Sequence, residues 1–261
     1  MDIKIGDLVT RNSYNNDMIF CVIDIKEDIC ILKGKNIRLV ADSPLDDLKK
    51  YEEDEDVEKD NEFLNRISSL PELERCDYFY LPGKILHIDA DEDYLKRCLN
   101  FYEKNKLWAI GVKKEEDEIA SSIYSLLEKY NPNIVVITGH DAYYKRKGDI
   151  NDIDAYRNSK NFIEAVKMAR KYENSHDKLI IIAGACQSNY EELIKAGANF
   201  ASSPKRINIH ALDPAIIASR LSLSSVTKDI DLKGILEETK YGPNGVGGIL
   251  TKGTMYIGYP R

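Results

Sequence analysis

What the chain lacks narrows its reading first. No apolar run approaches the roughly 20 residues that cross a bilayer; the longest, Leu179 to Cys186, is far shorter, and the opening MDIKIGDLVT has no charged-then-apolar leader. Neither a membrane-spanning nor an exported protein is expected. Positive charge is not in excess: 37 Lys+Arg stand against 44 Asp+Glu, a formal net charge of −7. That balance argues against a nucleic-acid partner held by neutralising many phosphates. Cysteine is sparse, and Cys21, Cys30, Cys76, Cys98 and Cys186 are odd in number without C-x-x-C spacing. Free thiols in a reducing compartment are expected rather than a disulfide framework. No group of His, Cys and carboxylate has ligand spacing, so neither a metal nor a cofactor is assigned. No internal repeat is visible. At 261 residues, 43% hydrophobic and 31% charged, the chain fits one large globular domain or two unequal ones.

What is present divides into three stretches. Within residues 1–50 the runs IGDLVTR, MIFCVIDI, ICILKG and IRLVAD are rich in Ile and Val and are separated by polar turns, which predicts four or five short strands. So few strands bury little apolar surface alone, so a small SH3-like β-barrel packed on a neighbour is expected. Residues 51–75 open with YEEDEDVEKD, where seven acidic residues face only Lys59, and read as an acidic linker followed by a helical segment. Over residues 76–261, runs such as KILHID, LWAIGV, NIVVIT and KLIIIAGAC alternate with helical periods such as DEDYLKRCLNFYEK and EDEIASSIYSLLEKY. That order predicts an α/β fold, a parallel sheet with helices on both faces. The end of the chain, GVGGILTKGTMYIGYP, reads as a closing glycine-rich hairpin.

Ligands of such sheets bind beyond the carboxyl ends of the strands, which directs attention to Asp89 and Asp91, to Gly139–His140–Asp141, to Ala185–Cys186 and to the turn after Ser203. IVVITGHD carries His140 to one strand tip and LIIIAGACQS carries Cys186 to another, 46 positions later. A thiol is a poor nucleophile until an imidazole or another positive group lowers its pKa, and the same imidazole can protonate a leaving amine. The small residues Gly184 and Ala185 are expected to leave room for a peptide carbonyl, and the helix NYEELIKAG to aim its N-terminal N–H groups at the thiolate. Each residue alone has a plainer reading, as an inert core cysteine or a hydrogen-bonded structural histidine.

The paired tips resemble the caspase, legumain and gingipain clan, in which one hydrophobic block ends in His and a second in Ala-Cys. More narrowly, LPGKILHIDADEDYLKRCL, VITGHDAYYKRKGDIND, IIAGACQSNYEELIKAGANFASSPKRINIHALDP and the late GVGG resemble the YabG-type sporulation-specific proteases. The resemblance implies a caspase-like α/β domain and a cysteine endopeptidase that cuts after Arg or Lys and is able to process itself. It also implies spore-coat and germination proteins as substrates, and a location in the mother-cell cytoplasm or at the spore coat. Cys186 would be the nucleophile and His140 the base. The wider clan usually has Gly after the catalytic His, whereas here Gly139 precedes it and Asp141 follows. The oxyanion donors are therefore open among the N–H groups of residues 139–141 and of Ala185–Cys186.

Charge suggests the substrate. Asp89, with Asp91 second, is expected to form an acidic pocket for a basic side chain, since a carboxylate about 4 Å from an arginine gains about 4 kcal/mol at an effective dielectric near 20 before desolvation. The alternative is that DADED caps the following helix. Asp141 is a candidate to orient the imidazolium, and Lys145, Arg146 and Lys147 in the long loop after it are a candidate self-cleavage point.

Two other classes compete. In a phosphoacceptor receiver domain, Asp89 and Asp91 would hold Mg²⁺, Asp141 would be the acceptor and Lys205 the accompanying cation, although Cys186 and the 141–160 insertion fit poorly. In an amidotransferase-like thiol enzyme His210 would be the base, but Ser188 stands where the nucleophile elbow has Gly. His87 reads as structural, and Cys21, Cys30 and Cys98 as small buried hydrophobes.

Overall fold

A computed structural model describes residues 3–51, 65 and 78–260. Apart from Tyr51 and Asn65, the acidic linker and helical segment expected over residues 51–75 lie outside the described residues, as does Cys76.

The N-terminal runs form β1 (Leu8–Arg11), β2 (Phe20–Lys26), β3 (Ile29–Gly34), β4 (Val40–Pro44) and β5 (Leu48–Lys50). They pair antiparallel in the order β4-β3-β2-β1-β5. Alternation along the strands turns Val9, Phe20, Val22, Cys30, Leu32 and Leu48 onto one shared core. One boundary departs from the expected pattern: IRLVAD is strand-like from Ile37, but β4 begins at Val40. Residues 36–38 leave this sheet, and Ile37 bridges His210 of the larger unit instead. Gly34 permits the departure, because a Cβ there would lie 2.3 Å from the Ile37 carbonyl oxygen.

After β6 (Phe79–Leu81), the larger unit runs β7 (Ile85–Asp89), α1 (Glu92–Lys104), β8 (Ala109–Lys113), α2 (Glu116–Tyr130), β9 (Ile134–Thr138), α3 (Ser159–Tyr172), β10 (Ile180–Ala183), α4 (Tyr190–Ala196), β11 (Phe200–Ser202), α5 (Asp213–Leu223) and α6 (Leu232–Glu237). The chain closes with β12 (Val246–Gly248) and β13 (Tyr256–Gly258). The sheet order is β12-β11-β10-β9-β7-β8, with β7 to β11 parallel and β12 antiparallel on the edge. The expected C-terminal hairpin is not formed: β12 joins the main sheet, and β13 pairs with β6 in a separate ribbon. The Gly-rich run is divided because Gly247 and Gly248 fit against Tyr190 and Phe200, where a Cβ would meet the Tyr190 hydroxyl at 2.7 Å and the Phe200 ring at 2.5 Å.

Strands buried on both faces explain the continuous apolar runs. Ile85, Ile134, Val136, Ile180 and Ile182 face α1, α5 and α6, while Leu86, Ile88, Val135, Ile137 and Ile181 face α2, α3 and α4. The expected helix-covered parallel sheet is thus present, and the fold is mixed α/β.

The two units meet at the carboxyl end of the main sheet. Arg38 is fully buried and forms an ion pair with the equally buried Asp89 at the end of β7. Its Nε and Nη2 also donate to the Ala211 carbonyl at 3.1 and 2.8 Å. Around it, the Tyr94 hydroxyl reaches the Gly34 and Ile37 carbonyls at 2.6 and 2.9 Å, and Arg97 donates to the Lys35 carbonyl at 2.8 Å. Lys33 sits 2.7 Å from Asp91 and 2.9 Å from Asp93.

Breaking a buried ion pair strands a charge, at a cost of about 3–5 kcal/mol. Asp89→Ala is therefore expected to lower stability by about that amount. Asp93→Ala removes only an exposed second partner of Lys33 and should leave the midpoint nearly unchanged. Urea unfolding of both variants checks this; equal midpoint shifts would contradict it.

Candidate active site

Sheet register brings the two expected strand tips together. Ala183 of β10 pairs with Ile137 of β9, and the Gly184 N–H donates to the Ile137 carbonyl at 3.0 Å. Cys186 and His140 each stand three residues beyond that matched pair. Gly184 turns the chain with φ +102, a left-handed conformation suited to glycine. Gln187, next to the cysteine, adopts φ 59. This less favourable conformation for a side-chain-bearing residue is held by the Gln187 N–H donating to Ser203 Oγ at 2.9 Å and by its Oε1 accepting from the Tyr143 N–H at 3.2 Å. Tyr94 packs on one of the tips, its ring 5.8 Å from the His140 ring.

His140 is oriented by a residue that the sequence assigned elsewhere. Its Nε2 lies 3.1 Å from Asp91 Oδ2. Burial opposes ionisation of Asp91, but the His140 and Lys33 contacts outweigh it and hold the carboxyl well below the usual range. An ionised Asp91 fixes the neutral imidazole as the Nε2–H tautomer, which leaves Nδ1 as the basic nitrogen. Among the described residues, that buried Nδ1 has no hydrogen-bond partner. Asp91 also caps α1, accepting from the N–H groups of Asp93 and Tyr94 at 3.0 and 3.1 Å. The capping reading of DADED therefore holds alongside a contact that links Asp91 to the imidazole.

The structure corrects the orienting role offered for Asp141. Its carboxylate accepts from Ser159 Oγ, from Ser188 Oγ at 2.8 Å and from the N–H groups of Ala142 and Asn158, both at 2.8 Å. Those bonds pin the two strand-end loops to each other and turn the carboxylate to partners other than the imidazole. Burial raises its pKa despite them. Two proposed oxyanion donors are similarly engaged: the Ala185 N–H donates to Ser188 Oγ at 2.9 Å, and the His140 N–H to Glu116 Oε1 at 2.8 Å. Gly139 packs tightly on Glu116, since a Cβ there would be 2.7 Å from Oε1.

Cys186 differs most from expectation. It is fully buried in the core shared with α1 and α5, and burial pushes its thiol up to about 12. Its sulfur accepts from the Ile209 N–H at 3.4 Å and lies 3.8 Å from the Ile209 carbonyl. Of the α4 N–H groups expected to aim at the thiol, that of Glu192 is taken by the Asn189 side chain, which caps the helix. Asp89 is likewise no open pocket. Burial disfavours its charge, yet Arg38, with a smaller contribution from His87, keeps it well below the usual carboxylate range. Behind it runs a closed polar chain, in which Thr138 Oγ1 donates to Asp89 at 2.8 Å and His87 lies 3.2 Å from Thr138 and 2.9 Å from the Tyr102 hydroxyl. His87 is structural, as expected. His210 turns its Nδ1 to the Leu212 N–H at 3.1 Å, so it is a poor substitute base.

The receiver alternative gains nothing from these positions. Asp89 is engaged by Arg38, Asp141 is enclosed by serines, Lys205 is exposed, and no group of three or more metal-ligating side chains occurs among the described residues. Lys145, Arg146 and Lys147 lie exposed at the tip of the insertion, whose base is fixed by stacking of Tyr143 on Tyr156 at 5.1 Å. A cavity of about 820 Å³ opens at the opposite end of the sheet, lined by residues such as Lys84, Trp108 and Asn133 and by none of the candidate site residues.

A thiol held protonated and covered should alkylate slowly. Near neutral pH, iodoacetamide is expected to modify half-buried Cys21 before Cys186, as read by peptide mass mapping. Faster labelling of Cys186 would contradict the closed arrangement.

Residues 4–260 match the YabG peptidase U57 family. The chain is also 44% identical, over 286 aligned positions covering 100% of it and 99% of the relative, to the sporulation-specific protease YabG of Bacillus subtilis (strain 168). Among the described residues no helix is long and apolar enough to cross a membrane. With agreement along its whole length, the chain belongs to the YabG peptidase U57 family.

Proposed function

We propose that this peptidase is a cysteine endopeptidase in which Cys186 is the nucleophile, His140 the general base and Asp91 the residue that positions His140. The observation that carries the reading is the Asp91–His140 contact with Nδ1 left unpartnered, at a strand tip in register with the tip bearing Cys186. When a peptide is seated and the thiol uncovered, Nδ1 takes the thiol proton as sulfur attacks the scissile carbonyl. The proton then passes to the leaving amine, so that the C–N bond breaks and a thioester remains. Water, deprotonated by the same imidazole, hydrolyses the thioester and restores the thiol. The positive charge that develops on the ring is balanced by Asp91, the part a buried aspartate plays in serine-protease triads.

The tetrahedral oxyanion needs main-chain donors. The N–H of Cys186, together with an N–H of the Gly139–Asp141 turn, is the pair proposed, each such donor being worth about 2.7–4 kcal/mol. Asp89 is the proposed arginine- or lysine-binding group, supported by its burial beside an arginine side chain already present. The helix-covered sheet with its site at the ends of two adjacent strands supports a caspase-like domain over residues 76–261, and the five-stranded antiparallel unit supports a small SH3-like barrel over residues 1–50. The name of the relative, a sporulation-specific protease, supports proteins of the developing spore, among them coat and germination proteins, as substrates, met in the mother cell or at the coat. Self-processing, with Lys145–Lys147 as one exposed basic site, belongs to the same reading.

Purified wild type and variants incubated with arginine-containing protein, followed by sequencing of new termini, test the assignment. Cys186→Ala should abolish cleavage, and His140→Ala should lower kcat/KM by roughly 10²- to 10⁴-fold. Equal cleavage by Cys186→Ala would refute the nucleophile. Asp91→Asn should act mainly on kcat, because the amide keeps a polar contact with the ring but neither fixes the Nε2–H tautomer nor balances imidazolium charge. An unchanged kcat would remove Asp91 from the site.

A further inference from the structure

We propose that residues 36–39 occupy the peptide-binding cleft of this chain as a built-in substrate mimic, with Arg38 seated where a substrate arginine binds; the inference rests on Cys186 and His140 being the catalytic pair. Main-chain pairing is the first support. The Ala211 N–H donates to the Asn36 carbonyl at 3.1 Å, the Arg38 N–H to the Ile209 carbonyl at 3.4 Å, and Ile37 bridges His210 in antiparallel sense. Residues 36–38 thus meet residues 209–211 through a single antiparallel bridge flanked by two main-chain hydrogen bonds, a short form of the main-chain pairing by which β-augmentation binds a peptide. Ile209 is also the residue whose main chain touches the Cys186 sulfur. The bridged segment therefore shares Ile209 with the thiol.

The side chain gives the second support. Arg38 enters a site that supplies the Asp89 carboxylate to one end of the guanidinium and the Ala211 carbonyl to Nε and Nη2, with Cys98 Sγ 3.5 Å from Nη2. A carboxylate and a carbonyl set around one planar cation select arginine and leave little for a neutral side chain to bind. As a device for docking a barrel, such a pair is an inefficient choice, since well-packed apolar residues commonly do as well or better than a buried ion pair. As a copy of a substrate residue, the choice has a reason. The local chain path points the same way: IRLVAD has the pattern of a continuous barrel strand, yet residues 36–38 are withdrawn from the barrel sheet to make these contacts.

The consequence is an enzyme closed by its own N-terminal unit. Ile37 packs both on the barrel core and on the cluster that contains Cys186. Lys33, at the other side of the same hairpin, holds the carboxylate that contacts His140. A substrate must displace the hairpin before its own arginine enters, and its apparent affinity is reduced by the fraction of molecules that are open.

The experiment uses the full chain and a short arginyl peptide carrying a fluorogenic amide. If the open form is populated at about 1–10%, Arg38→Gln should raise kcat/KM about ten- to a hundredfold, and Arg38→Lys less. A folded Arg38→Gln protein with unchanged or lower kcat/KM overturns the inference. Should Arg38→Gln not fold, hydrogen exchange on wild type decides. A peptidyl-arginine aldehyde, which adds reversibly to the thiol, should speed exchange of the Arg38 and Ala211 amides, and unaltered protection with Cys186 modified overturns the inference. Failure of the catalytic assignment itself has a different signature, namely hydrolysis that persists in Cys186→Ala.

Discussion

The buried pairing of Arg38 with Asp89 is the contact on which the arrangement of this molecule turns. Both groups lie out of water, and a charge in that setting is tolerated only when matched in geometry and hydrogen-bonded on its remaining sides. Thr138 and the Asp91 N–H complete the carboxylate, and the Ala211 carbonyl completes the guanidinium. The pair thereby fixes three things together: the seat of the barrel, the end of β7, and the path of residues 209–211 past the sulfur of Cys186. The thiol beside that path is fully buried, and burial raises its pKa.

A second constraint operates inside the larger unit. Parallel pairing of β9 with β10 sets two loops side by side, and Asp141 with its serine partners holds them there. This division of labour separates two aspartates that sequence proximity would confuse. Asp141 follows His140 in the chain but its carboxylate serves the scaffold. Asp91, 49 positions earlier, meets the imidazole because α1 begins beside the tip of β9.

Much of the scaffold is legible in the amino-acid sequence. Runs such as IVVIT and KLIIIA are apolar on both faces because helices cover both faces, and that pattern is local. The placing of His140 and Cys186 beyond two strand ends is legible because each follows such a run. Arg38 is not: it lies in IRLVAD, whose alternation describes a barrel strand correctly from Val40 onward and says nothing of a contact 51 residues away. Asp89 was recognised as an arginine-binding acid without any sign that the arginine was supplied internally. Asp91 was placed with it because adjacent acidic residues look alike in sequence, whereas one points into the core and the other caps a helix and meets the imidazole. The Gly-rich C-terminus carried hairpin chemistry, but pairing partners are chosen by packing against Tyr190 and Phe200, which no turn signal encodes.

The central claim is that one thiol, assisted by one imidazole, attacks peptide carbonyls that follow a basic residue. Mass mapping after treatment with a peptidyl-arginine chloromethyl ketone tests it most directly. The account predicts a covalent adduct on Cys186 that forms in wild type in step with loss of activity and forms far more slowly in His140→Ala. An adduct on another residue, or complete loss of activity with Cys186 unmodified, would contradict it.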